Sequence, residues 1–592
     1  MNRDSPGEEA GDEAEPTDTT TDRRSFLAVG GFGLTSAVGG LRPMNSQTVL
    51  DRPARDGDPS PRVATVAADS ENEITTENAR TGDTGWKPST LIDGDVEGYT
   101  TRTSVKQGGT LELCVSAGGA YTIDLYRIGW YDGAGGRLVH SQDGGEPMTQ
   151  PIAKYEGEYD LVQCDWEVTD VIDIERDWVS GLYYARLSLD DGSGVYAHPF
   201  VVRAAEPSAA MVMQLPLATM QAYNGWPSIH DGGKSFYGFA SDGPQSAAVS
   251  HDRPYLEPFQ HHLNYATHLI RWMEREGYSV EYVCDTDVHQ DPELLQAYAV
   301  AASAGHDEYW SVNQYDAFMD ARASGTNLAF LGGNICYWRV LYEDNDRVIV
   351  CHKVDEEDLF RNIGMHEARL KGLASFGYQP NGDFPSLTVD DDGLDHPYMQ
   401  DTGFESEDEV VNVVGYEWSW IREESPDNLE RFFHYEAGSQ MYVQRDHDCD
   451  TVVFEVDSGA TVFHSGTLAW NWRLDPEPTW DTEYSFPEAL DRRPEIAEPD
   501  ERLQRFQRNV FADLFPGQEL APVPTESPTA TPTPSPTADT TATAEPDTEE
   551  TPDGAMPGPG VLGALGSVGV AMYVLARRVG AMRSDDSDRR RF

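Results

Sequence analysis

The chain has 592 residues, a formal net charge of −59 at pH 7, and 39% hydrophobic and 10% aromatic side chains. That length holds two or three domains with cores of their own, and the aromatic share is too high for a disordered polyanion. An acidic surface repels phosphate backbones and excludes strong nucleic-acid binding, while the composition excludes collagen-like, coiled-coil and multi-span membrane architectures. Of the 43 basic side chains only six are lysines. Acid spread along the whole chain with lysine nearly absent reads as adaptation to near-saturating salt. There the Debye length is about 3 Å or less and self-repulsion costs little.

Residues 1–45 hold an acidic, polar leader followed by Arg23-Arg24-Ser25-Phe26-Leu27 and a Gly/Ala-rich stretch. This order is similar to a twin-arginine export signal, which carries folded cargo. Residues 46–84 read as a linker. From 85 to 206 the pattern has a period of two, as in TLELCV (110–115), YTIDLYRI (121–128), LYYARL (182–187) and YAHPFVV (196–202), with glycine turns between. Short alternating strands predict an antiparallel β-sandwich.

From 207 to 516 the grammar becomes alternating β and α. Strands are predicted at 209–215, 279–284, 299–304 and 327–331, and helices at 263–277 and 312–323. A further helix is predicted to open at Asp291, with Pro292 at its first position. This pattern predicts a parallel, doubly wound sheet, in which ligands bind beyond the carboxyl ends of the strands. The loops there are YNGW (223–226), GHDEYW (305–310) and GGNIC (332–336). There is no GxSxG elbow, HExxH, Walker loop or GxGxxG. His261, His262 and His268 read as solvated or capping groups at a helix start. Cys336 stands where an amidotransferase thiol could sit, but a buried structural thiol is the favoured reading. His306-x-Glu308 offers a metal ligand and a proton-transfer group, or simple capping of the helix that follows.

The tail carries a Pro/Thr-rich stalk (517–556) and then an anchor segment (557–592) with the apolar run 561–576 and Arg577-Arg578. The order resembles archaeal C-terminal sorting signals, with Pro559 in place of the usual Phe, and predicts attachment to the membrane with the body outside the cell. Six cysteines without a CxxC form no disulfide scaffold and no zinc ribbon; Cys114 and Cys164 are candidates for one pairing.

Taken together, LYRIGWYDGAGGRL (125–138), QCDW (163–166), WVSGLY (178–183), QAYNGW (221–226), GHDEYW (305–310), GGN (332–334), GYEW (415–418) and GTLAW (466–470) resemble the N,N-dimethylformamidase large (β) subunit family. The resemblance covers about 90–515. It implies an α+β multidomain fold, the sandwich being followed by a domain similar to class I glutamine amidotransferases. It also implies a mononuclear Fe(III) held by two tyrosines and a glutamate, corresponding by motif to Tyr183 (with Tyr184 next to it as the alternative), Tyr223 and Glu308. His306, Asn334 and Glu417 are implied as the catalytic polar groups. Phenolate and carboxylate are hard oxygen donors suited to a hard ion, which polarises an amide carbonyl and acidifies bound water. The expectation is therefore an exported, surface-anchored, iron-dependent hydrolase of a small amide, homo-oligomeric and in contact with the cell envelope. A non-enzymatic surface protein and a Cys336 thiol amidohydrolase are the alternatives.

Overall fold

Alternation along the chain decides which faces are buried. The computed structural model describes residues 72–87, 95–157, 159–228, 230–256, 261–354, 356–378, 384–437, 447–475 and 499–515. All of these fall in one compact unit, Ser60–Phe592. The export signal, the stalk and the apolar run 561–576 lie outside the described residues. Among those described, no helix is long and apolar enough to cross a membrane.

Two sheets form the first half. Val96–Thr100, Thr110–Ala117 and Asp170–Asp173 make an antiparallel sheet of three strands. A five-stranded sheet runs Ser104–Lys106, Val195–Arg203, Gly181–Leu189, Tyr121–Ile128, Gly136–Asp143, parallel only at its first pair. Leu111, Leu113 and Ile172 of the smaller sheet share one core with Ile123, Leu125, Tyr183, Leu187 and Phe200 of the larger. The opposite face of the larger sheet (Tyr126, Ile128, Leu182, Tyr184, Val201) packs into the core of the second half. That sheet is therefore buried on both sides, and neighbours on one strand belong to different cores.

The stretch expected to be a linker contains the helix Glu73–Asn78, capped by Asn72. Its Ile74 joins the second core, and Asn78 donates to Glu274 Oε2 at 2.8 Å. Tertiary partners, not periodicity, define so short and polar a helix. Nearby, Arg127 and Glu274, both fully buried, pair through two bonds of 2.9 and 2.8 Å.

A nine-stranded sheet organises the second half. Five strands are parallel: Met211–Leu215, Val280–Cys284, Val300–Ala304, Asn327–Leu331 and Thr461–His464. Their spatial order by chain position is second, first, third, fourth, fifth. The expectation of a parallel sheet needs correction beyond them. Cys449–Glu455, Glu430–Tyr435, Leu387–Val389 and Glu409–Val410 continue the sheet antiparallel. The link from Glu455 to Thr461 is too short for a crossover, so it turns at Gly459 (φ 82°) into a hairpin. Helices His261–Glu276 and Val312–Ala323 connect parallel strands, the latter opened by a Ser311–Gln314 capping box. The helix expected to open at Asp291 is only a short 3-10 turn, Leu294–Ala297; Asp291 itself ends the helix Asp285–Gln290.

Candidate functional site

The first strand has the second on one side and the third on the other, so connections leave it in opposite directions and open a crevice at its carboxyl end. The chain leaves the first strand into the helix Leu217–Tyr223, whose last residue points into this crevice. It leaves the third strand through Gly305 (φ 71°), where a Cβ would lie 2.7 Å from the Tyr265 Cβ. Asp307 turns inward, accepting from Gln214 Nε2 at 2.7 Å and Ser303 Oγ at 2.8 Å. His306 and Glu308 therefore turn outward together.

Three oxygens meet at the centre. Tyr223 Oη donates to Glu308 Oε2 at 2.8 Å. Tyr237 Oη lies 2.7 Å from Tyr223 Oη and 3.0 Å from Glu308 Oε2. Tyr309 Oη follows at 2.6 Å from Tyr237 Oη, and Lys353 Nζ donates to Tyr309 Oη while lying 3.5 Å from the Tyr237 ring centroid. On the other flank, His306 Nε2 is 2.8 Å from Glu417 Oε2 and 3.5 Å from Glu308 Oε2. Asn334 Nδ2 donates to Glu417 Oε2 at 2.9 Å, and Tyr416 Oη stands 3.3 Å from His306 Nδ1. Asn334 holds a left-handed backbone (φ 49°), and its Oδ1 is buried without a hydrogen-bond partner.

Burial sets the electrostatics. It raises the Tyr223 and Tyr237 phenols well above the ordinary tyrosine range. Burial also raises the Glu308 carboxyl, against the pull of Lys353. Lys353 itself is brought down to about 8 by burial. His306 goes the other way: burial disfavours its charged ring, but the carboxylates of Glu417, Glu308 and Asp307 outweigh that and raise it.

The structure thus brings together Tyr223, Glu308, His306, Asn334 and Glu417. It does not bring Tyr183. That side chain points into the core between the two first sheets, donates to Val179 O at 2.8 Å and stacks on Trp178. Tyr184 faces the opposite way, into the second core beside Trp86. A strand inside a sheet buried on both faces cannot offer either phenol to a loop crevice. The phenol that stands beside Tyr223 and Glu308 is that of Tyr237.

Other expectations also change. His268 is buried and its Nδ1 lies 2.8 Å from Asp475 O, so it is not solvated; the side chains of His261 and His262 lie outside the described residues. Cys336 is packed among Phe318, Phe330 and Phe360, and burial pushes its thiol well up, which suits a structural role. Cys114 and Cys164 share a small cluster with Tyr99 and Trp166 as free thiols, so the pairing is not formed.

Sequence reasoning missed Tyr237, Tyr309, Lys353 and Tyr416. Tyr309 and Tyr416 each adjoin a residue already singled out. Lys353 had a signal of its own, a lysine beside the apolar strand Val348–Val350 in a chain with only six.

Among the described residues no group of three or more His, Cys, Asp and Glu side chains is placed to hold a metal ion; the phenol-rich trio above is a donor set of another kind. The chain matches the family described as N,N-dimethylformamidase beta subunit-like, C-terminal, over residues 122–483. It is 34% identical over 74 residues to the N,N-dimethylformamidase beta subunit of Alcaligenes sp, a match covering 12% of this chain and 10% of that protein. Among solved structures, the β-D-glucuronidase of Dictyoglomus thermophilum is similar at 9% identity over 41% of this chain and 44% of that one, with a TM-score of 0.13, and nothing below rests on it. With the family match covering more than half of its length, this chain belongs to the N,N-dimethylformamidase beta subunit-like family.

Proposed function

We propose that the crevice is the catalytic centre of a metal-dependent hydrolase of the C–N bond of a small amide. The observation that carries this reading is the oxygen triangle Tyr223 Oη, Tyr237 Oη and Glu308 Oε2, with edges of 2.7, 2.8 and 3.0 Å. Adjacent donors on an octahedral ion with bonds of about 2.0–2.1 Å lie roughly 2.9 Å apart, so the residues fit. All three are hard oxygen donors, which suit Fe(III) better than zinc. Tyr223, Tyr237 and Glu308 would hold the ion, and bound there it supplies Lewis acidity toward an amide carbonyl.

The remaining steps belong to this chain's own groups. The His306–Glu417 pair takes a proton from the attacking water and returns it to the departing nitrogen. Asn334 Nδ2, fixed by Glu417, offers an N–H to the developing oxyanion. Tyr223, Tyr237 and Phe239 wall the mouth, with ring centroids 4.2 and 5.2 Å apart along the row, and favour an uncharged substrate of low polarity. The family match and the similarity to a beta subunit support this hydrolase class.

The same reading extends to the rest of the chain. A β-sandwich at 85–206 precedes an α/β domain at 207–516 that is similar to class I glutamine amidotransferases, the two-sheet core and the strand order supporting this division. The leader and the tail direct export and surface anchoring, with homo-oligomers and envelope contacts on the outer face. The test is amine release from a panel of small amides by iron-loaded protein in molar salt. His306→Ala and Glu417→Gln are expected to lower kcat by about 10²–10⁴; release that survives both at the wild-type rate contradicts the assignment.

A further inference from the structure

Three stretches of chain meet behind the two phenols at a single guanidinium. Arg253 follows the strand Ala248–Ser250 and is fully buried. Its Nη2 donates to Gln221 O at 3.4 Å and to Asn224 O at 3.0 Å, on either side of Tyr223. There the helix Leu217–Tyr223 ends and its backbone carbonyls run out of intrahelical donors. Arg253 Nε donates to the side-chain oxygen of Gln221 at 3.2 Å. Its Nη1 reaches the other way and donates to Lys234 O at 2.8 Å. From Lys234 the chain passes to Tyr237 through a closely bonded turn. Ser235 Oγ accepts the Tyr237 N–H at 3.0 Å, while Ser241 Oγ accepts the Ser235 N–H at 2.9 Å and donates to Tyr237 O at 2.8 Å.

Every one of these acceptors of Arg253 is neutral. Among the described residues no carboxylate bonds to it. A buried cation without a counter-charge is a standing cost that an apolar side chain of similar length would avoid. What an apolar chain lacks is the planar fork, whose N–H groups point to opposite sides and hold two segments at one spacing. One backbone bond joins the same two segments, from the Phe236 N–H to Ala222 O at 2.9 Å. A single bond acts as a hinge, and the guanidinium adds the second point that fixes the angle.

We propose that Arg253 is a positioning residue, which clamps the end of the Tyr223 helix to the turn that carries Tyr237 and so sets the spacing of the two phenols. The role it serves rests on the catalytic reading above; the spacing itself does not. Side chains that sit behind metal-binding groups and orient them typically change metal affinity or activity by about 10- to 100-fold when removed.

The test compares Arg253→Lys and Arg253→Met with Arg127→Met, which breaks a buried pair elsewhere, in the full chain in molar salt. Lys keeps the charge but can hold the helix end or Lys234 O, not both; Met holds neither. The first readout is the Tyr223 Oη–Tyr237 Oη distance, 2.7 Å in the wild type, in crystals grown without iron. The second is iron affinity with the kcat and KM of the loaded protein. Both Arg253 variants are expected to open the phenol contact beyond about 3.5 Å and to lower iron affinity by about 10- to 100-fold, with kcat falling alongside. Arg127→Met is expected to unfold more easily yet keep the contact, which separates positioning from general loss of stability. Should Arg253→Met not fold, Arg253→Lys decides. The proposal is overturned if a folded Arg253 variant keeps the contact at its wild-type distance, or if Arg127→Met opens it as far. If wild-type protein takes up no iron and cleaves no amide, the catalytic reading fails, and the crystal distances still decide the spacing.

Discussion

A phenol hydroxyl does different work at positions 183 and 237. At 183 it satisfies a backbone carbonyl inside a closed core, so Tyr183→Phe is expected to cost about 1 kcal/mol in denaturant unfolding and to leave the crevice untouched. At 237 it touches Tyr223, Glu308 and Tyr309; Tyr237→Phe is expected to cost about as much in unfolding and, unlike Tyr183→Phe, to remove most turnover. A reversal of the two outcomes would return Tyr183 to the site. Lys353 belongs to the same scale: its ammonium faces the Tyr237 ring and the Glu308 charge. Lys353→Met is therefore expected to lower kcat/KM about tenfold or more. That His306 and Glu308 share a crevice was legible from the loop after a strand in which they lie. Asn334 and Glu417, which the structure places beside them, came only through the family resemblance, Glu417 being the first residue of the strand Glu417–Trp420. Tyr237 was not legible, because it sits in the long connection after the first strand, where no periodicity fixes which side chains turn back. Tyr183 misled because alternation says that neighbours face opposite ways but not that both faces are covered.

Elements hold these residues in place, and two of them can be tested directly. Gly305 joins the third strand to the His306–Glu308 loop in a left-handed backbone, with Tyr265 Cβ and Ala266 N at 2.7 and 3.0 Å from any added Cβ. Gly305→Ala is expected to destabilise by at least about 2 kcal/mol, from left-handed strain and contact with a packed helix, and to lower turnover with it. The Arg127–Glu274 pair joins the five-stranded sheet to the helix His261–Glu276, and Tyr282 Oη also donates to Glu274 Oε1 at 2.9 Å. Removing one partner strands a buried charge. Arg127→Met is therefore expected to cost about 3–5 kcal/mol, and Arg127→Met with Glu274→Leu less than that; a double variant worse than the single would show that the pair is not what binds these elements. The strands at 121–128 and 327–331 and the helix at 312–323 were readable to the residue, because period, cap and turn residues agree there. The antiparallel half of the large sheet was not, since its strands are short and their order depends on long-range pairing.

At the scale of the whole molecule, charge and pH govern. A net charge of −59 predicts unfolding as salt is diluted from molar to about 0.01 M, where the Debye length grows to about 30 Å; a melting temperature indifferent to that dilution contradicts the saline reading. His198 and His251 are buried beside Arg347, and burial lowers both rings, His198 to about 3 and His251 well below its ordinary value. The unfolded chain binds protons near pH 6.5 that the folded one refuses, so stability is full above that pH and falls as pH drops. Between pH 7 and 5 His198 alone is expected to remove about 2 kcal/mol, and His251 adds to the loss in the same direction. The double variant His198→Gln, His251→Gln should lose much less over the same interval in denaturant titrations.

The claim on which the functional reading turns is that two phenols and one carboxylate, Tyr223, Tyr237 and Glu308, hold a single ion. The direct measurement is iron titration of the purified protein in molar salt, followed by elemental analysis and visible absorption. One iron per chain is expected, with a tyrosinate charge-transfer band that Tyr223→Phe and Tyr237→Phe each weaken and Tyr183→Phe leaves intact. A colourless, iron-free wild type, or a band that disappears only with Tyr183→Phe, would contradict it.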